Sequence, residues 1–466
     1  MNGVLVRRVE VDDRLADVRI GAGVVTELAP RLTRLAGETV VDARGGALLP
    51  GLCDHHLHLH ALAAQQFSAR CGPPAVADAS GLAAALAGAN ADEHGWVRGV
   101  GYVESVAGPL DAVALDRVHQ ARPVRLQHRS GALWMLNTAA MTVLDVAGAE
   151  HPGIERDPHG APTGRLWRAD GWLRSRLPGT RPPGLREVGA QLARFGITSV
   201  TDATPDLDAS AISAIGADMR TGALPQHVHL LGAPVDLTHI SSPGSPSIGP
   251  YKIVLADSAL PDLDSLIETV RAVHTTGRAV AVHCVTREAL VLLLTALTAA
   301  GTVSGDRIEH AALVPRELLP ELARRGLRVV TQPGFLADRG DDFLRDLPEG
   351  DHPDLYRVRT LRAAGVPVAL SSDAPYGPLD PWAVIRAAVA RRVRSGRVAG
   401  PDERLTAAEA LAGLLCPATD PGGRPRTVRV GAAADLVLLH GRRAELLDDP
   451  AGDRVRMTFI GGDAMW

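Results

Sequence analysis

A chain of 466 residues, 46% apolar and 22% charged with a net charge of −4, has room for one large domain and a smaller one. Its mixed charges form neither a basic patch for nucleic acid nor a polybasic stretch for a membrane, and no apolar run is long enough to span a bilayer. The amino terminus lacks the apolar core of a signal peptide. Cys53, Cys71, Cys284 and Cys416 form no C-x-x-C pair, so free thiols and a cytoplasmic location are expected.

Residues 1–49 are strand-like with turns, and so are residues 424–466. Neither end can bury a core alone, so the two are expected to meet in one small β-sandwich domain. Residues 50–423 follow a different rhythm. A strand over Leu52–His58 is followed by a Pro- and Gly-rich insertion at about 61–190, expected to fold as a lid. Strands then recur at Gly196–Ala203, His227–Ala233, Tyr251–Ala256, Arg278–Val285, Asp306–Val314, Leu327–Pro333 and Val366–Asp373. Helices are predicted at Thr286–Ala300, Pro315–Arg325 and Asp354–Ala364. Another starts at the Asp380-Pro381 cap, and a last one at the Thr406-x-x-Glu409 capping box. His274 is placed on a helix and expected to be exposed. Gln332-Pro333-Gly334-Phe335 is read as the end of the seventh strand and Arg339-Gly340-Asp341 as part of the loop after it, both as pocket walls. The alternation predicts an α/β protein: a (β/α)8 TIM-like barrel of eight parallel strands.

Five strand ends carry groups able to bind a metal. His56 and His58 share one strand face, so both rings can reach one ion. Lys252, the single lysine of the chain, ends the fourth strand; His283, His310 and Asp373 end the fifth, sixth and eighth. A buried lysine loses its proton readily, which arginine does not. Nitrogen and oxygen donors together favour Zn²⁺, one or two ions, with Mn²⁺, Fe²⁺, Co²⁺ or Ni²⁺ as alternatives. His55 and His60 flank the pair and are not expected as ligands. His128, Arg129 and Trp134 in the insertion, and Tyr376 after the last strand, are candidate substrate contacts. For the insertion residues the plainer reading is the stronger: arginine is the general-purpose cation of this chain, and Trp134 reads as core.

With these residues in place, the chain resembles the amidohydrolase superfamily, in the branch of N-substituted formamide deformylases and N-acyl-amino-acid deacylases. The resemblance runs through Pro50-Gly51-Leu52-Cys53-Asp54, Gly196-Ile197-Thr198-Ser199-Val200, Ser372-Asp373-Ala374-Pro375 and Gly431-Ala432-Ala433-Ala434-Asp435-Leu436-Val437. In the insertion it runs through Gly131 with Asn137 and Arg156-Asp157 with Pro162-Thr163-Gly164. It implies His56, His58 and Asp373 at one metal, His283 and His310 at a second, and a carboxylated Lys252 bridging them. It also implies hydrolysis of a non-peptide C–N bond of a small molecule by a metal-activated hydroxide, with Asp373 as the catalytic acid and base, and it is compatible with a homodimer. Three positions depart from the branch pattern: Ala132 for a histidine, Arg168 for a glutamate, and Asp257-Ser258-Ala259 where an Asp-Gly loop is usual. Two competing readings are a mononuclear deaminase on the same barrel and a catalytically silent assembly protein. The deaminase would use a glutamate where this chain has Thr286.

Overall fold

The computed structural model describes residues 3–179, 182–256 and 260–466. The chain separates into two compact units, Met1–Leu59 with Gly184–Trp466, and His60–Pro183.

The larger unit contains all eight strands of the expected series: β1 (Leu52–Leu57), β2 (Ile197–Asp202), β3 (His227–Leu230), β4 (Tyr251–Val254), β5 (Val280–Cys284), β6 (Arg307–His310), β7 (Arg328–Thr331) and β8 (Val368–Leu370). β1, β2 and β3 pair in parallel in that order, as do β4 through β8. Backbone hydrogen bonds link the two sheets. Asp373 N donates to His56 O at 2.8 Å, His58 N to Ala374 O at 2.8 Å, and Lys252 N to Leu231 O at 3.0 Å. β1, β2, β6 and β8 are buried along their whole length, so the polar side chains that β1, β2 and β6 carry must find partners inside the fold. Gly51 admits no side chain, because a Cβ there would stand 2.2 Å from Thr198.

Residues from both chain ends build two further four-stranded sheets of the same unit. One joins Val24–Ala29, Arg14–Gly21, Val4–Val11 and Thr39–Asp42; the other joins Asp463–Ala464, Val455–Ile460, Leu436–Leu439 and Leu48–Pro50. They share one apolar cluster, with Val6, Val18 and Ile20 from the beginning of the chain and Leu436, Leu438 and Phe459 from its end. Neither end could bury that surface alone.

The second unit carries a six-stranded sheet of its own, Ile154–Arg156, Pro162–Trp167, Leu133–Leu136, Val124–His128, Val97–Tyr102 and Ala69–Arg70. Buried Asn137 locks it: Oδ1 accepts from Val124 N and Ala140 N, and Nδ2 donates to the carbonyls of His119 and Arg122. This unit runs from His60 to Pro183. Helix Arg186–Arg194 belongs to the larger unit, where it buries Val188, Leu192 and Ala193 and the Gln226 amide donates to the Gly189 carbonyl.

Three further expectations are corrected. The loop placed after β7 is a helix, Gly334–Asp346, with Gly340 pressed against Val393. The helix placed over Asp354–Ala364 is only Arg359–Ala363, preceded by a 3-10 segment over Glu349–Asp354. His274 is not exposed: its side chain is 9% accessible and its Nε2 lies 3.0 Å from Asp306 Oδ1. The helix caps hold as read, including the reciprocal Thr406–Glu409 box and Asp380 accepting from Trp382 N.

Candidate metal centre

Two turns bring the candidate ligands together. His310 ends β6 with φ +70°, and Asp373 lies three residues beyond β8 with φ +55°. Left-handed backbone at such residues costs about 1 kcal/mol or more. Here it falls on two of three residues whose donor atoms gather within 4.8 Å of one another, His56, His310 and Asp373, all buried.

The Asp373 carboxylate is the hub. Its Oδ1 lies 3.1 Å from His58 Nε2 and 3.5 Å from His56 Nε2, and its Oδ2 lies 3.9 Å from His310 Nδ1. The ring of His283 is 4.3 Å, centroid to centroid, from that of His310. Lys252 is buried at the start of β4. Desolvation lowers its pKa below the usual lysine value, opposed by the carboxylates of Glu309 and Asp373. The lysine charge in turn acts on His56 and His310, which places all of them in one electrostatic neighbourhood.

The charge states suit metal ligation. Burial holds His56 well below its ordinary value and His310 down at about 4, so both imidazoles are neutral at pH 7. Burial disfavours ionisation of Asp373, but the imidazoles of His56, His58 and His310 outweigh it and hold the carboxyl well below the usual range. The Nδ1 atoms of all three imidazoles have side-chain partners as well. His58 Nδ1 meets Thr204 Oγ1 at 3.1 Å, His310 Nδ1 meets Gln332 Oε1 at 2.9 Å, and His56 Nδ1 meets Glu309 Oε2. Gln332 is oriented by donating to Ser371 Oγ, and Asp54 ties β1 to the end of β8 by accepting from His56 N and Ser372 N. Two imidazole nitrogens and a carboxylate oxygen already 3.1–3.5 Å apart, with rear nitrogens bonded, form a donor set that fits a divalent metal.

Sequence reading did not assign Glu309, Thr204 or Arg307. A signal existed: two charged residues two apart on a fully buried strand require partners. His55 lies away from the cluster, buried beside Cys53 Sγ at 3.7 Å, and the cysteines are buried and free. Tyr376 packs edge-on against His58, ring centroids 5.4 Å apart. The remaining substrate candidates belong to the other unit. His128 contacts Ser130 and Glu104, Arg129 N donates to the Tyr102 carbonyl, and buried Trp134 donates from Nε1 to Asp170 with Arg98 over its ring. There too, Arg168 N donates to the Ala132 carbonyl. Asp257-Ser258-Ala259 lie outside the described residues.

Comparison with known proteins gives this geometry a lineage. The profile of the amidohydrolase family matches residues 39–464. The chain belongs to the amidohydrolase family. It is 26% identical to an N-substituted formamide deformylase of Arthrobacter pascens over 89% of this chain and 87% of that one. It is also 31% identical to a pterin deaminase of Rhizobium rhizogenes, over 42% of this chain and 47% of the other. An uncharacterized metal-dependent hydrolase from Pyrococcus horikoshii superposes with a TM-score of 0.72 at 18% identity, covering 97% of this chain and 98% of its own. This likeness shows the fold: a TIM-barrel-like α/β architecture, as amidohydrolases have. No described helix is long and apolar enough to cross a membrane.

Proposed function

We propose that this amidohydrolase cleaves a non-peptide, amide-type C–N bond of a small molecule at a centre built from His56, His58, Lys252, His283, His310 and Asp373. The observation that carries the reading is the Asp373 carboxylate, set between the Nε2 atoms of His56 and His58. A divalent metal held by this set, zinc by its donor chemistry, would polarise the scissile carbonyl and acidify a water. Asp373, ionised at neutral pH, takes a proton from the attacking water and returns it to the departing nitrogen. Neutral His56 and His310 offer lone pairs rather than protons. Lys252, buried and with its pKa lowered, would be able to add its neutral amine to CO2 with loss of a proton, and the resulting carbamate would supply oxygen donors to the centre.

With this reading go four others: the eight strands as a closed barrel, the terminal sheets as a sandwich domain, the insertion as a lid, and a cytoplasmic enzyme able to form a homodimer. A deaminase is the second reading, favoured by the partial likeness to a pterin deaminase. Against it stands Thr286, whose side chain caps the helix after β5 by accepting from Ala289 N. The test is metal content of the purified protein with a screen of N-formyl, N-acyl and cyclic amides, against a metal-stripped control. Metal-dependent release of amine supports the proposal. Ammonia released from an amino-substituted ring would favour the deaminase, and stoichiometric metal with no turnover in either class would favour a silent barrel.

A further inference from the structure

Three imidazoles of the centre meet three different groups through Nδ1: a hydroxyl at His58, a carboxamide oxygen at His310 and a carboxylate at His56. The carboxylate stands apart, because it is the one that brings a charge out of water. Glu309 is fully buried; its Oε2 meets His56 Nδ1 and its Oε1 pairs with Arg307 Nε. Arg307 is buried too, and another of its nitrogens donates to the His55 carbonyl at 3.3 Å. Two desolvated charges could serve packing alone, but replacing such a pair by apolar residues is commonly neutral or stabilising. A pair kept only for packing would not need one carboxylate oxygen on the rear nitrogen of an imidazole. The His56 backbone is fixed as well, its amide donating to Asp54 at 3.2 Å, so ring and main chain are held independently.

We propose that Glu309 is the positioning residue of the metal centre: it keeps the His56 proton on Nδ1, aims the Nε2 lone pair past Asp373, and makes the His56 side the tighter-binding side. Arg307 holds Glu309 in register. The physical basis is that a carboxylate bonded to Nδ1–H fixes the tautomer and raises the basicity of the other nitrogen. A hydroxyl, as at His58, does this more weakly. The inference rests on the metal-centre reading, and the experiment below separates the two.

Zinc-loaded full-length protein with ¹⁵N-labelled histidine rings reports the tautomer directly, the His56 signals being assigned by their loss in His56→Asn. The expected spectrum has the His56 proton on Nδ1. Zinc titration of the metal-stripped protein should show Glu309→Gln weakened several-fold and Glu309→Leu weakened by about 10- to 100-fold. Thr204→Ala should lose less. The double variant Glu309→Leu/Arg307→Met removes both charges and avoids a stranded guanidinium, so weakened zinc binding with an unchanged melting temperature reports positioning rather than folding. A wild-type His56 proton on Nε2, or full zinc affinity in both Glu309→Gln and the double variant, would overturn the proposal alone. A wild-type chain that takes up no divalent metal would overturn the metal-centre reading and this proposal with it.

Discussion

The candidate residues of the two units are held in different ways. In the larger unit His56, His310 and Asp373 are buried, each of the two imidazoles has a side-chain partner at Nδ1, and two of the three residues sit on left-handed backbone. In the insertion, His128 is half-buried against Glu104 and Ser130, while Trp134 is part of an apolar core with Leu136, Leu144 and Leu166. A group that performs chemistry must be held in one geometry, and holding it requires burial and partners. For a substrate-selecting residue burial and partners are no mark, since Trp134 has both and a core role explains them. The first kind can therefore be read from residue type and spacing, and the second cannot.

The sharpest contrast is functional. Asp373→Asn should lower turnover by about 10³-fold while the protein still binds metal, the scale of a lost general acid–base group. Metal analysis beside steady-state rates would check it, and near-normal turnover would remove Asp373 from its role. Arg129→Ala, in the insertion, should change KM more than kcat if it meets substrate; equal values to wild type would leave it a surface residue.

Next comes stability. Trp134→Ala should cost about 3–5 kcal/mol by opening a core cavity and stranding Asp170. Urea unfolding followed by tryptophan fluorescence suits this test, because Trp96, Trp134, Trp167 and Trp172 all lie in the insertion. A shift of less than 1 kcal/mol would mean that the indole is not a core element.

The pH response separates the buried histidines from ordinary surface ones. Burial holds His55 and His229 down at about 3 and His310 at about 4, whereas unfolded histidine titrates near 6.5. Between about pH 6.5 and 4 the unfolded chain binds more protons than the fold. Stability of the metal-free protein should therefore fall as pH falls through that window. Asp54 acts in the opposite sense. Burial pushes its carboxyl up to about 6, so its contribution is present below about pH 4 and lost as pH rises toward 6. Three histidines outweigh one carboxylate. Denaturation midpoints at pH 4.5, 5.5 and 6.5 should rise in that order, and a flat series would contradict the burial argument.

The smallest effect lies far from either site: Thr406→Ala should cost about 1 kcal/mol through the lost capping box. No change in melting temperature would show that this helix end is held by packing.

The strands were legible because short β-branched or apolar stretches recur between helical patterns and turn residues, and the ligand candidates because histidine, lysine and aspartate fall on or just after them. Lys252, expected to end β4, stands near its start. Glu309 was not legible, since strand alternation places it opposite His310. The left-handed turn at His310 lets both residues address His56, one through Nδ1 and the other by a ring contact of 4.8 Å. Sequence does not announce that turn at a histidine. The helix over Gly334–Asp346 was hidden behind Pro333-Gly334 and Gly340, which read as strand-end and loop residues but serve a helix start and a close contact with Val393. His274 follows Val270 by one helical turn and so lies beside the buried face of its helix, where Asp306 pairs with it.

The most direct test of the account is X-ray absorption at the metal edge of the purified, zinc-loaded protein. Convergence of His56, His58, His310 and Asp373 on one centre predicts stoichiometric metal with a nitrogen and oxygen shell at about 2.0–2.2 Å and imidazole multiple scattering. A sulfur shell at about 2.3 Å, or metal that washes away at stoichiometric loading, would contradict it.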